Sequence, residues 1–269
     1  MAKASGILTP EQQALQTAIE GLYTAFAGYP LREVIPGCVD CLEQTNIDHL
    51  HTVPLRLLTE EDLAPFLVNN AGRTVGDALD LKHFLPRLFE LVSQQEASSS
   101  FLLPPETLGL AVSEYDYGTW PQPEQQALQF FCLAWWQMVL ATMPRLSAIR
   151  DERVDTLLCT ISQFTKDLEP YLEAWRHTRS RTALAQLVVF IRHYLMDANA
   201  ERRRNPWWGG QEHQWEQIVA WVLDPATARW IREMWDRTNA AKQQEADLAA
   251  SRLPNRVLDW LASQIPNEK

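Results

Sequence analysis

The chain lacks the signatures that usually name a reaction. It has no Gly-rich phosphate loop, no G-x-S-x-G, no H-E-x-x-H and no helix with paired carboxylates. The motif-based routes to nucleotide, acyl-transfer and zinc-protease chemistry are therefore missing. Glycine is sparse, at 10 of 269 residues, and neither an alternating apolar run nor an Asn-Gly turn marks a hairpin. Four cysteines are too few for a disulfide scaffold in a chain of this length. The longest apolar stretch, Phe130 to Met143, is interrupted by Gln137 and is too short to cross a bilayer, so no membrane partner is expected. Met1 to Gly6 hold no apolar secretory core, and the expected location is cytoplasmic. Basic charge is the minority, with 24 Lys and Arg against 34 Asp and Glu and a net charge of -10. Such a surface repels nucleic acid, leaves a basic protein as the expected partner, and also serves plain solubility.

What is present is helical. Leu, Ala, Gln, Glu and eleven tryptophans dominate, and most of the 16 prolines fall between periodic segments. Thr9-Pro10-Glu11-Gln12 reads as a capped helix start, followed by Leu15, Ala18, Ile19, Leu22 and Phe26 at helical spacing. Thr59-Glu60-Glu61-Asp62 reads as a second start and Gly72 as its stop. Asp77 to Gln95 is helical, with a kink or new start expected near Phe84 because of Pro86. Pro123 to Met143 is apolar nearly all the way round, as a central buried helix would be. A stripe over Arg153 to Trp175, with Pro170 as a break, and one over Arg181 to Asn199 follow, then helices around Trp215, after Asp224-Pro225 and after Leu253-Pro254. The expectation is an all-α fold of roughly nine or ten helices, an irregular multi-helix bundle or α-solenoid-like array. No motif recurs at fixed period. A single domain spanning 1–269 is expected, with a soft boundary near 98–121.

Several clusters could carry chemistry. Cys38-x-x-Cys41 has the spacing of half a zinc site, and His49 and His51 could complete it, with His83 a further candidate. The same thiols could instead be redox-active, though no βαβ context accompanies them, or pack a turn after Pro36-Gly37. Cys132 and Cys159 fall in apolar helical runs and read as core. In Asp80-Leu81-Lys82-His83, Asp80 could orient His83 as a general base, or the residues could simply form local ion pairs. Glu201 to Gly210 holds the one basic run, beside Trp207 and Trp208. Its position at a helix end favours a capping role over phosphate binding. The aromatic loop Tyr115-Asp116-Tyr117-Gly118-Thr119-Trp120 offers rings and charge for partner binding, and equally could cover the helix that follows.

Tyr29-Pro30, Pro36-Gly37-Cys38-x-x-Cys41, Pro54-Leu55-Arg56-x-Leu58-Thr59-x-x-Asp62-Leu63, Asp80-x-Lys82-His83-Phe84-Leu85-Pro86-Arg87-Leu88 and Leu223-Asp224-Pro225-Ala226-Thr227 are also landmarks. Together they resemble an uncharacterised bacterial protein family. Its members often carry Gly-Cys-Pro-Cys-Cys where this chain has Gly-Cys-Val-Asp-Cys. The resemblance implies a bacterial cytoplasmic helical protein and supplies no catalytic residues. Two expectations follow from the whole reading. One is a non-enzymatic protein-binding module with no cofactor, for example a cognate inhibitor (immunity protein) of a bacterial toxin. The alternative is a zinc-binding or metal-dependent enzyme centred on Cys38 and Cys41.

Overall fold

Local signals set the helix starts. Thr9 accepts the backbone N–H of Gln12, and Gln12 Oε1 accepts that of Thr9, so two otherwise orphaned donors are satisfied at the head of α1 (Pro10–Ala25). Thr59 and Asp62 repeat the device at α3 (Glu60–Ala71), and Gly72 closes that helix. The computed structural model describes residues 8–38, 40, 43–94, 103–144, 153–196, 204–240 and 253–264. Twelve α-helices lie among them, more than the sequence pattern suggested. The remaining ten are α2 (Gln44–Thr52), α4 (Ala78–Gln94), α5 (Pro105–Glu114), α6 (Gln122–Ala141), α7 (Arg153–Ser162), α8 (Glu169–His177), α9 (Arg181–Tyr194), α10 (Glu212–Leu223), α11 (Pro225–Ala240) and α12 (Leu253–Gln264). No strand occurs among the described residues; one isolated antiparallel bridge joins Gly37 to Val75. The fold is all-α.

The chain groups into two compact units, Met1–Met138 and Val139–Lys269, dividing within α6. In the first unit α4 is the hub and packs against α1, α3 and α5. Leu81, Phe84, Leu85, Leu88 and Phe89 on α4 are fully buried, with Phe84 on Phe66 at 4.7 Å and Phe89 on Phe131 at 5.1 Å between ring centroids. In the second unit α9 plays that part: every residue from Ala183 to Ile191 is buried, and α7, α11 and α12 pack on it. Its one amide in that run, Gln186, is satisfied by the carbonyls of Val139 and Thr142.

The structure sharpens three expectations. Of the kink or new start expected at Pro86, no new start occurs: α4 runs on through it with the ring buried in the core, so packing outweighs the one backbone hydrogen bond that proline cannot make. The stripe from Arg153 to Trp175 breaks, as Pro170 suggested, but the break is the turn Gln163–Leu168 just before it, which separates two helices. Asp167 Oδ1 accepts the Glu169 N–H there, and Pro170 sits in the first turn of α8, where it is tolerated. α6 is not buried all round: Phe130 is 56% exposed, on a side shared with the exposed Gln126 and Gln129. The polar break expected at Ser98–Ser100 lies outside the described residues.

Truncating Phe84 should therefore cost far more than truncating an exposed apolar residue. Phe84→Ala is expected to lower unfolding free energy by about 3–5 kcal/mol. Val34→Ala, at a residue 74% exposed, should stay within about 0.5 kcal/mol. Urea titration followed by circular dichroism measures both.

Candidate functional site

The candidate thiol and imidazole ligands are dispersed. His49 and His51 both lie on α2, and two residues along a helix are roughly 200° apart around its axis. His49 Nε2 meets Asp62 Oδ1 at 2.8 Å, whereas His51 Nε2 donates to the Arg32 carbonyl at 3.0 Å. The Cys38 side chain is exposed, and its N–H donates to the Thr74 carbonyl at 2.8 Å; Cys41 lies outside the described residues. Among the described residues no three His, Cys, Asp or Glu side chains group as a metal site would need. In this arrangement His49 and His51 do not converge on one point, so a zinc ion at Cys38 and Cys41 would take at most one of them. Cys132 and Cys159 are buried, as their runs suggested, and burial pushes the Cys132 thiol far up.

The aromatic loop is mostly turned inward. Tyr117 and Trp120 are buried, with rings edge-to-face at 5.6 Å. The Trp120 indole N–H donates to the Tyr115 carbonyl at 2.8 Å, and the Tyr117 hydroxyl donates to the Gln125 carbonyl at 3.0 Å. Burial raises the Tyr117 phenol to about 12. Tyr115 is half-buried, its hydroxyl donating to the Asn70 carbonyl at 3.4 Å. Asp116 alone of the four is exposed, with left-handed backbone at φ 49°. Near the basic run, Arg202 and Arg203 lie outside the described residues, and Arg204 stacks over Trp215 at 4.6 Å. Trp208 is buried with its N–H on Asp155, and Trp207 is the more exposed of the pair.

The polar residues of α4 converge on the segment that follows α1. Asp80 does not orient His83. It is ion-paired with Arg32 and accepts the backbone N–H of Asp77 at 2.9 Å; Arg32 also reaches Asp77 at 3.0 Å. His83 Nδ1 donates to the Tyr29 carbonyl at 2.8 Å. Lys82 Nζ lies 2.7 Å from Glu124 of α6 and 3.3 Å from the Tyr29 hydroxyl. It is boxed between the Tyr29 ring at 4.9 Å and the Trp120 ring at 4.5 Å. The Tyr29 hydroxyl in turn donates to Glu124. Burial raises this phenol despite the nearby ammonium. Arg32 and Glu124 were not singled out in the sequence, and Tyr29 only as a landmark of the resemblance, although an arginine isolated between Pro30 and Pro36 was a signal.

Charge is divided between the units. Residues 1–138 carry 17 acidic and 6 basic side chains; residues 139–269 carry 17 and 18. Each described cation of the first unit sits on a carboxylate. Besides Arg32 and Lys82, Arg56 meets Glu20 at 2.6 Å, Arg73 meets Glu114 at 2.8 Å and Arg87 meets Glu90 at 2.8 Å. Glu33, Asp40, Glu43, Asp48, Glu61 and Asp116 remain exposed and face no cation among the described residues. No helix among the described residues is long and apolar enough to cross a membrane. No protein-family model, curated protein or solved structure matches the chain.

Two predictions follow. A Cβ at Gly37 would stand 2.4 Å from the Thr74 carbonyl oxygen, on backbone at φ 145°, so Gly37→Ala should lower the melting temperature by several degrees, about 4–8 °C for each kcal/mol lost in a small domain. Burial also disfavours the His83 imidazolium and lowers its pKa, against the hydrogen bond to Tyr29 and the nearby Asp80 charge. The folded protein then binds fewer protons here than the unfolded chain, whose histidine titrates near 6.5. This contribution to stability is complete above pH 6.5 and is lost as pH falls from 6.5 toward the lower folded value. Asp62 acts in a separate acid window. Burial opposes its ionisation, but the Thr59 N–H and hydroxyl and the His49 ring outweigh that and hold it below 3.8. Its contribution is lost only below that pH. Urea midpoints between pH 7.5 and 5 should fall for the wild type and flatten in His83→Gln, which can still donate to the Tyr29 carbonyl.

Proposed function

We propose that this protein is a non-catalytic protein-binding module whose first unit recognises a basic protein. Cognate inhibition of a bacterial toxin, as an immunity protein performs it, is the activity the reading favours. The division of charge carries it. The acid excess of the chain belongs to residues 1–138, and the described cations there are already neutralised by their own neighbours. What faces outward is thus a field of one sign, and such a field steers and orients a partner of the opposite sign. Plain solubility would be served as well by a net negative charge shared between both units, whereas here the bases that offset it lie in residues 139–269. Asp116, exposed beside the half-buried Tyr115, is one contributor to that field.

Affinity for a partner isolated from the native host tests the reading. The partner should have a basic isoelectric point, and binding should weaken as NaCl is raised from 50 to 300 mM. The combined variant Glu33→Gln, Glu43→Gln, Asp48→Asn, Glu61→Gln should bind at least about tenfold more weakly with its melting temperature unchanged, because exposed charges act mainly on association. An acidic partner, or affinity indifferent to both salt and the variant, would refute the proposal.

A further inference from the structure

Residues 29–38 are fastened to the first unit in a lopsided way. Ile35 is the single fully buried aliphatic; Pro30, Val34 and Pro36 are exposed and Tyr29 and Leu31 only partly covered. The other fastenings are polar and come from elsewhere in the unit. α4 supplies Asp80 to Arg32, Lys82 to the Tyr29 hydroxyl and His83 to the Tyr29 carbonyl. α2 supplies His51 to the Arg32 carbonyl, and α6 supplies Glu124 to the Tyr29 hydroxyl. At the far end the Cys38 N–H donates to the Thr74 carbonyl at 2.8 Å and the Gly76 N–H to the Pro36 carbonyl at 2.6 Å.

The two kinds of attachment differ in what release costs. Exposed apolar surface is the lasting cost of opening a segment, and here it is one isoleucine and the covered parts of Tyr29 and Leu31. Hydrogen bonds and partly exposed ion pairs are largely replaced by water. The buried row Leu81, Phe84, Leu85 and Leu88 belongs to α4, which packs on α1, α3 and α5. Segments with few buried apolar contacts open at a small fraction of the global free energy. We propose that Tyr29–Cys38 is a polar-latched strap that opens as one unit in the folded protein, with the Arg32–Asp80 pair as its catch. Opening carries Arg32 away and leaves Asp77 and Asp80 to solvent. A basic partner would gain two carboxylates there; that consequence rests on the function proposed above, whereas the opening itself does not and is tested with no partner present.

Native-state hydrogen exchange on the full chain reads the opening directly. The Cys38 and Gly76 amides, whose bonds close the strap, should exchange together and at least about tenfold faster than the Leu85 and Leu88 amides. Their rates should be flat in low urea, as a small opening requires, while the α4 rates climb. Arg32→Gln should speed both strap amides by about ten- to a hundredfold, because it leaves the Asp80 charge buried without its cation until the strap opens. Val112→Ala, a core truncation away from the strap, should speed the α4 amides and leave Cys38 and Gly76 unchanged. The proposal fails if Cys38 and Gly76 share the rate and urea dependence of Leu85 and Leu88, since the strap would then open only with the whole unit. It fails equally if Arg32→Gln leaves the two strap amides at their wild-type rates. Should that variant not fold, the urea series on the wild type decides alone.

Discussion

A carboxylate that is 1% exposed is costly in a protein interior unless a cation and donors meet it there, and Asp80 imposes that demand on the first unit. Arg32 answers it, and the route of the chain after α1 follows. With its guanidinium on Asp80, the backbone passes over the N-terminal half of α4. The Tyr29 carbonyl then falls on His83, the Tyr29 hydroxyl on Lys82 and Glu124, and Gly37 against Thr74. Removing one partner of such a pair strands the other, which costs more than the pair itself contributes. The ion pair is thus better understood as a device that dictates path than as a reserve of stability.

Legibility of the sequence tracked the range of the interaction responsible. The starts at Thr9 and Thr59 were readable because a capping box closes within four residues. The α7–α8 break was readable from Pro170 but its extent was not, since Gln163 to Leu168 has no glycine and keeps the apolar stripe intact. At Pro86 the local rule counts the missing hydrogen bond and not the core that surrounds the ring, so it did not exclude a new helix start there. The candidate site shows the same limit. Cysteine and histidine spacing is visible in the chain, but the fates of His49 and His51 were settled by Asp62 and by the Arg32 carbonyl, contacts that no spacing rule anticipates. The segment Asp80 to Arg87 stood out for its density of polar residues. That each would reach a different element could not be read from it.

The aromatic loop and the buried lysine account for one another. An ammonium held at 8% side-chain exposure needs more than its carboxylate, and the faces of Tyr29 and Trp120 supply it. Trp120 is in turn fixed by Phe26 and Tyr117 at 6.0 and 5.6 Å. Of the rings that looked available for recognition, Trp120 helps enclose a charge of the protein's own and Tyr117 is buried against it, while Asp116 beside them is presented outward.

Tryptophan is as unevenly shared as charge, with 8 of the 11 in residues 139–269. Trp175 and Trp221 lie nearly parallel, 5.6 Å apart at 23°, close enough for their electronic transitions to mix. Intrinsic emission and near-ultraviolet dichroism of this protein therefore report chiefly on its second unit. The first unit has one indole beside an ion pair, Trp120 over the Lys82 ammonium at 4.5 Å, and a charge so placed shifts the colour of its emission. With the other indoles silenced by fluorinated or phenylalanine substitutes, Trp120 becomes an optical gauge of that charge, sensitive to events at Tyr29 that the bulk of the spectrum would hide.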